Sequence, residues 1–253
     1  MKMHFLSGGR LRMRRFIYDP QAARDDVFEL PVISTLLRHE QGNVLFDTGC
    51  NPEAATNPEA RWGGVAKAMT PIFQAEDTVI HQLPKLNLSA NDIDLVICSH
   101  LHPDHCGCNE YFNRATIYCH AAELAAAKAE GGVKQGYLPQ EWDQPQGFTT
   151  FDSQTDLFGD GRIVLIPMPG HTPGSTAALV GLDMEGTFLL AADAAPLEIN
   201  LTTGIAPKNS WNADLAAATL AEISMLRAQG IQVIFAHDDA QWRTLRTGAA
   251  YYE

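Results

Sequence analysis

Residues 99–105 read Ser-His-Leu-His-Pro-Asp-His, and they follow an apolar run at 93–98 that predicts a buried strand. Three imidazoles and one carboxylate therefore occur within six residues. Buried polar groups need partners, so this many ligand-type side chains at the end of a strand cannot all serve an apolar core. One divalent ion accepts about four ligands of this kind. The stretch therefore predicts a metal site at the end of the strand.

The spacing within this stretch favours two metal ions. His100 and His102 are two residues apart on an extended chain, so their side chains share a face and can bind one ion together. Asp104 and His105 follow Pro103, where the chain is expected to turn, and they can face a second ion beside the first. A solvated histidine-rich loop is the alternative interpretation, and the apolar strand before the motif argues against it.

Three more ligand-type residues each follow a short apolar run that predicts a strand, and they are His171, Asp193 and His237. Open α/β sheets bind ligands past the carboxyl ends of their strands, so separate strands would bring these residues to one rim. We expect Asp193 to bridge the two ions, because a carboxylate can offer one oxygen to each cation. The expected ligands are His100, His102 and His171 for one ion, and Asp104, His105 and His237 for the other.

Apolar runs that end in polar or glycine-containing loops predict eight strands, at 32–38, 43–46, 93–98, 115–119, 162–166, 175–180, 187–191 and 232–235. Helices are predicted at 121–130 and 212–229, the second with Asn212 as N-cap and with Leu215 on its buried face. The stretch 132–154 is expected to be a surface loop. Alternating strands and helices predict an α/β fold, and the absence of a clear linker predicts one domain over 1–253.

The charge balance excludes some partners. The 253-residue chain has a net charge of −12, whereas a nucleic-acid binder needs a surplus of Lys and Arg. The basic stretch at 10–15 is interpreted as a solvated strand or loop edge. The first residues turn polar after six positions, and no window approaches the ~20 apolar residues of a membrane helix. A small-molecule substrate is therefore expected, with no nucleic acid and no membrane as partner, and a homodimer stays open.

The five cysteines form an odd set without a regular framework: Cys50, Cys98, Cys106, Cys108 and Cys119. Reduced thiols and a cytoplasmic location are the simplest interpretation. Cys106 and Cys108 directly follow the histidine motif and could be metal ligands. Since three His and an Asp already precede them, we expect both to pack in the core.

Taken in order, the motifs resemble those of the metallo-β-lactamase superfamily. They are HLHPDH at 100–105, GHTPGS at 170–175, the Asp of LLAADA at 189–194, the His of FAHDD at 235–239, and DTG at 47–49. Within that superfamily the chain is most similar to N-acyl-homoserine lactone lactonases and to 4-pyridoxolactonase, through HLHPDHCG and the carboxyl end RTGAAYYE. The resemblance implies an αβ/βα sandwich and ring-opening hydrolysis at two zinc ions, with iron, cobalt or manganese as alternatives.

The expected mechanism follows from two adjacent metals. A hydroxide held between them would attack the lactone carbonyl, and Asp104 would pass a proton to the leaving oxygen. Asp47 is expected to hydrogen-bond a ligand histidine. Lactonases of this kind often carry a Tyr three residues after the bridging Asp, where it contacts the substrate carbonyl. This chain has Pro196 there, so the residue that polarises the carbonyl is not assigned.

Other functions stay open for the same residues. The site could hydrolyse a different lactone, an ester, an amide or a phosphotriester. A diiron redox protein is a further alternative, although such chains usually have Glu where this one has His102. A metal-binding module without catalysis would show no turnover. Several apolar residues are expected to line a substrate pocket: Met13, Phe16, Ile17, Trp62, Met69, Ile72 and Phe73.

Overall fold

The computed structural model describes residues 1–253, and two β-sheets form its centre. The strands are β1 (Lys2–Arg14), β2 (Val27–His39), β3 (Gly42–Phe46), β4 (Thr70–Pro71), β5 (Leu95–Ile97), β6 (Thr116–His120), β7 (Thr149–Phe151), β8 (Thr155–Asp156), β9 (Ile163–Pro167), β10 (Thr176–Leu182), β11 (Gly186–Ala192) and β12 (Gln232–Phe235). One sheet has the order β4-β1-β2-β3-β5-β6-β7, and the other has the order β12-β11-β10-β9-β8.

Helices connect these strands. They are α1 (Pro52–Thr56), α2 (Pro58–Trp62), α3 (Val65–Ala68), α4 (Val79–Gln82), α5 (Pro103–Cys106), α6 (Ala121–Lys128), α7 (Pro139–Trp142), α8 (Glu198–Thr203), α9 (Ala213–Ala228) and α10 (Asp239–Trp242). Short 3-10 turns lie at Arg15–Ile17, Ala75–Asp77, Leu83–Leu86, Ala90–Asp92, Asn109–Tyr111 and Gly132–Gln135. None of the helices combines the length and the apolar character that crossing a membrane requires.

The two sheets pack face to face. Their shared core contains Phe5 and Leu37 from the first sheet and Leu165, Val180 and Phe188 from the second. Burying each side chain of this size contributes about 1.5–3 kcal/mol. A second cluster packs α6 on the outer face of the first sheet, and a third packs α9 on the outer face of the second. The order helix, sheet, sheet, helix confirms the predicted αβ/βα sandwich.

The predicted secondary structure is largely confirmed, with three corrections. All eight predicted strands are present, and Asn212 caps α9 by accepting hydrogen bonds from the backbone N–H of Asp214 and Leu215. However, α6 ends at Lys128, and Leu215 is 39% exposed, so the predicted helix end and buried face were wrong there. The stretch 132–154 is not only a surface loop, because it contains α7 and β7 and buries Trp142.

Strand β1 was not predicted, because Gly8 and Gly9 interrupt its apolar pattern. The pairing of β1 with β2 shifts register between Ser7 and Arg10, which is the sign of a bulge. Gly49 has a φ of +73°, and a Cβ at this position would lie 2.4 Å from the Cα of Gly8. The glycines therefore let β1 pack directly against the DTG turn beside the histidine motif.

The two cysteines after the histidine motif lie in the core. Cys106 and Cys108 are buried in the apolar cluster under the first sheet, and the thiol of Cys106 donates to the backbone carbonyl of His102 at 3.2 Å. This contact confirms the predicted packing role. Burial raises the pKa of both thiols well above the usual range, so neither is a ready thiolate ligand.

Candidate metal centre

The structure brings the seven predicted ligand residues together at one edge of the sandwich. Four follow β5, namely His100, His102, Asp104 and His105, and the others follow β9, β11 and β12, namely His171, Asp193 and His237. Strands β9, β11 and β12 run in the same direction, since β10 is antiparallel to both β9 and β11 while β12 is parallel to β11. Their carboxyl ends therefore meet at one rim, and all seven residues are buried except His102, which is half-buried.

The donor atoms form overlapping groups in which all atoms lie within 4.8 Å of one another. The groups are His100, His102 and His171; His100, His105 and Asp193; and Asp104, His105 and His237. The first and last groups are the two ligand sets that the motif spacing predicts. The middle group joins them through Asp193.

Asp193 faces both sets. One carboxylate oxygen, Oδ1, lies 3.0 Å from His237 Nε2 and 3.3 Å from His105 Nε2. The other oxygen, Oδ2, lies 3.4 Å from His171 Nε2. A carboxylate that offers one oxygen to each of two neighbouring sites has the geometry of a bridging ligand.

Backbone carbonyls determine which ring nitrogen of two histidines faces the centre. His237 donates from Nδ1 to the carbonyl of Pro31 at 2.8 Å, and His102 donates from Nε2 to the carbonyl of Gln135 at 2.9 Å. These bonds leave His237 Nε2 and His102 Nδ1 with free lone pairs. Hydrogen bonds of this kind orient metal-binding imidazoles.

Asp47 performs the same task for His105, as its place in the DTG motif predicts. Its carboxylate accepts from His105 Nδ1 at 2.8 Å and from the N–H and hydroxyl of Ser99, both at 2.7 Å. Because the Ser99 hydroxyl donates to Asp47, it can accept from His100 Nδ1 at 3.1 Å. Asp47 has a φ of 59°, which a non-glycine residue adopts at a cost of about 1–3 kcal/mol. The predicted contact is confirmed.

Several buried atoms at the centre have no hydrogen-bond partner. They include His105 Nε2, His237 Nε2 and Asp193 Oδ1. A buried polar atom without a partner costs about 1–3 kcal/mol. Because these atoms point at one another and are typical ligand atoms, divalent cations would satisfy them. The donor set, five imidazoles and two carboxylates, suits such ions.

The charges of the cluster also suit cations. Burial lowers the pKa of His102 and of His171 to about 4, so both imidazoles are neutral near neutral pH. Burial would raise the pKa of Asp193, but His237, His171 and His105 outweigh it and hold this pKa well below its usual range. An ionised carboxylate therefore lies beside two neutral imidazoles. The carboxylates of Asp104 and Asp193 outweigh burial and raise the pKa of His105 and of His237, so a bound cation would take the place of a proton on these two rings.

Glu123 was missed by the sequence analysis, although it connects the two histidine motifs. Its buried carboxylate accepts from the N–H of Leu101 and from the N–H of Gly174, each at 3.0 Å. Burial raises its pKa. Gly174 is required there, since a Cβ would lie 2.4 Å from the backbone nitrogen of Glu123. A Glu in the first turn of an Ala-rich helix is usually solvated, so the sequence contains no signal for this contact.

Glu123→Ala is expected to weaken metal binding without removing a ligand. It leaves two buried N–H groups without acceptors, which costs about 1–3 kcal/mol each, and frees the loops that carry the histidines. Metal affinity, measured by competition with a chromogenic chelator, is expected to fall about 10- to 100-fold. Glu123→Gln, which keeps an accepting oxygen, should lose less, and Glu130→Ala, in the exposed turn after α6, should lose nothing. Unchanged metal affinity in Glu123→Ala would contradict this role.

Two cavities reach the cluster. One, of about 560 Å³, ends at His237, and its wall includes Arg10, Arg15 and Arg243. The other, of about 300 Å³, ends at His102 and His171. The remaining lining residues of this smaller cavity are Gln135, Tyr137, Thr172, Lys208, Asn209, Ser210 and Trp211.

The predicted apolar pocket wall was wrong. None of its seven residues lines either cavity. Met13, Trp62 and Phe73 are buried together in an apolar cluster, because β1 and the short helices α2 and α3 pack their apolar faces against one another. The walls that a substrate would meet are therefore mostly polar.

The αβ/βα sandwich and the cluster of His and Asp residues at one rim of its two sheets together define a class of α/β protein. The chain belongs to the metallo-β-lactamase superfamily, whose sequence pattern matches residues 27–243. The superfamily and the His/Asp cluster together imply bound divalent metal.

Curated relatives span the whole chain. The N-acyl homoserine lactonase AttM of Azorhizobium caulinodans is 28% identical over 270 residues, covering 100% of this chain and 99% of the relative. The N-acyl homoserine lactonase AiiA of Bacillus thuringiensis subsp. kurstaki is 27% identical over 258 residues, covering 99% and 98%.

Solved structures show the same fold. An N-acyl homoserine lactone hydrolase with the product N-hexanoyl-L-homoserine at its catalytic metal centre has a TM-score of 0.89 at 24% identity, covering 99% of this chain and 98% of its own. AidC, a dizinc quorum-quenching lactonase, has a TM-score of 0.70 at 16% identity, covering 94% and 87%.

Proposed function

We propose that this protein hydrolyses the ring ester of lactones, with N-acyl-homoserine lactones as the first substrate class, and thereby quenches quorum signals. The observation that carries the proposal is the convergence of seven ligand-type residues on one rim, with Asp193 turned toward both ligand sets. Full-length relatives named N-acyl homoserine lactonases support the substrate class.

Two divalent cations, with zinc as the first candidate, fit the cluster. His100, His102 and His171 would hold one, Asp104, His105 and His237 the other, and Asp193 both. When bound, such a pair acidifies water to a pKa of about 7 or below and polarises a carbonyl oxygen. All donor atoms of the cluster are nitrogen or oxygen. Such a set favours zinc but also accepts iron, cobalt or manganese.

Asp104 is the residue that would transfer the proton. Its Oδ2 lies 3.6 Å from His105 Nε2 and 3.7 Å from His237 Nε2, and its side chain is buried. Oδ2 of Asp104 therefore faces His105 and His237. The Asp104 carboxylate can also accept a proton from the attacking water and pass it to the leaving alkoxide. The ring C–O bond breaks, the alkoxide takes this proton and becomes the alcohol of the ring-opened product, and the acyl carbon becomes a carboxylate whose acid proton passes to solvent.

The proposed cytoplasmic location rests on the thiols. All five cysteines are free and buried. Proteins of oxidising compartments commonly pair their cysteines, whereas reducing compartments keep them as thiols.

The function is tested by measuring acid release from the zinc-loaded protein with a panel of substrates. The panel contains acyl-homoserine lactones of several chain lengths, simple γ- and δ-lactones, 4-pyridoxolactone and a phosphotriester. We expect acid release from the acyl-homoserine lactones, and we expect a chelator to abolish it. Turnover of the phosphotriester alone would mean that the site hydrolyses phosphotriesters and not lactones. No turnover of any substrate would refute the proposal.

A further inference from the structure

The smaller of the two cavities lies directly beside one ligand set of the cluster. Its wall includes His102 and His171, whose ring nitrogens Nδ1 and Nε2 lie 3.1 Å apart. Together with His100 they form the set that would hold one ion. A molecule in this cavity would therefore lie next to that ion. The volume of about 300 Å³ is at the lower end for a ligand pocket, so the cavity suits a small group and not a long chain.

One side chain of this wall carries a charge that nothing in the chain neutralises. The wall contains no Asp or Glu, and Lys208 is its one Lys or Arg, beside the amides of Gln135 and Asn209. The Lys208 ammonium makes no ion pair within the protein, and it lies 4.8 Å from the centroid of the Phe16 ring. A ring contacts the ammonium from one side only, so some of its three N–H groups stay free to donate.

The arginines of the larger cavity, in contrast, are already paired with carboxylates of the protein. Arg10 and Arg243 contact Asp239 at 2.6 Å and 2.7 Å, and Arg15 contacts Asp26 at 2.8 Å. An anion that entered the larger cavity would have to compete with these carboxylates. Of the two cavities that reach the cluster, the smaller one is therefore the better place for an anionic group.

The backbone that carries Lys208 is tied to the metal cluster. The N–H of Trp211 donates to the carbonyl of His171 at 2.8 Å, and the N–H of Lys208 donates to the carbonyl of Ile17 at 2.7 Å. The lysine side chain is long and flexible, but these two bonds set the position of its backbone relative to a ligand histidine. The ammonium therefore stays within reach of a group that lies beside the ion.

We propose that Lys208 selects lactones that carry an anionic group, such as a carboxylate, a short distance from the ring. The inference rests on the proposed function. The lactone carbonyl would lie at the cluster and the anionic group in the smaller cavity, where Lys208 donates to it in a charge-assisted hydrogen bond. This group takes no part in bond breaking, so the contact is equally strong in the bound substrate and in the transition state. It therefore lowers KM and leaves kcat nearly unchanged.

The rival interpretation is a solvated lysine that rests on Phe16 and meets no substrate. Lys208 is exposed, and most lysines on protein surfaces are solvated in this way. Both interpretations allow a folded and metal-loaded protein after Lys208 is replaced. They differ in the preference between a charged and a neutral substrate, which is the quantity to measure.

The test compares two lactones of equal size in the zinc-loaded protein. They are N-succinyl-homoserine lactone, which ends in a carboxylate, and N-levulinoyl-homoserine lactone, which ends in a methyl ketone. The succinyl lactone is expected to have the larger kcat/KM, by about tenfold, through a lower KM. This preference should shrink as salt is added, because the Lys208 side chain is exposed to solvent.

Lys208→Met is expected to remove the preference, so that the two kcat/KM values agree within about twofold. Lys208→Glu should reverse it, and Lys208→Arg, which keeps the charge, should keep it. Because the preference is a ratio measured on one protein sample, a smaller share of folded or metal-loaded protein does not change it. The matched control is Lys85→Met, which removes an exposed lysine from the turn Leu83–Leu86 and should keep the full preference.

Equal kcat/KM values in the unsubstituted protein, or a preference that survives in Lys208→Met, would overturn the inference alone, since a lactone is still opened in both cases. An unsubstituted protein that opens no lactone would overturn the proposed function and this inference together.

Discussion

Asp193→Asn is expected to lower kcat/KM for the lactone by about a thousandfold or more and to release at least one tightly bound metal. The two oxygens of Asp193 face different ligand sets, so this one side chain serves both. The variant keeps the shape of the side chain but removes the negative charge that lies beside His105 and His237. An uncompensated pair of cations would then repel each other at short range.

The measurement combines metal analysis with steady-state kinetics. The control is Asp143→Asn, which changes an exposed aspartate directly after α7. It should behave like the unsubstituted protein. If Asp193→Asn kept two metals and an activity within about tenfold of the original, the bridging role of Asp193 would be wrong.

Asp104→Asn is expected to lower kcat about 10²- to 10⁴-fold at saturating zinc, because an amide cannot carry the proton to the leaving oxygen. The amide oxygen can still contact the metal, so two metals should remain bound when zinc is in excess. The loss should depend on the leaving group. An alkyl alkoxide needs a proton to leave, whereas a phenolate, from a group with a pKa of about 10, needs it far less.

The matched comparison therefore uses two substrates, an aliphatic γ-lactone and an aryl lactone such as dihydrocoumarin. The aliphatic lactone should suffer the larger loss. An equal loss on both substrates would leave Asp104 as a metal ligand only, and full turnover on both would remove its proton role.

Local sequence patterns could predict most of the candidate site. His100, His102, Asp104 and His105 are close in sequence, so their spacing alone indicates a shared site. Asp193 belongs to the same site because parallel strands end at one rim, a rule that needs only the strand pattern. The predicted α/β sandwich follows from the same alternation of strands and helices.

Contacts between distant parts of the chain could not be predicted. Tyr18 and His237 meet across 219 positions, and nothing near either residue indicates the other. The same holds for Glu123, whose partners belong to two different loops, and for β1, whose glycines serve a close approach to Gly49 rather than a turn. The prediction of an apolar pocket wall was wrong for the same reason. Trp62 packs in a buried apolar cluster, and most of the other members of this cluster are distant in sequence.

Lactone opening by this protein is expected to need two metal ions in the His/Asp cluster. The most direct test is to strip the protein with a chelator and then add zinc in small steps while lactone hydrolysis is recorded. No activity is expected in the metal-free protein, and the rate should stop rising at two equivalents of zinc per chain. A rate that saturates at one equivalent, or hydrolysis that survives full metal removal, would contradict it.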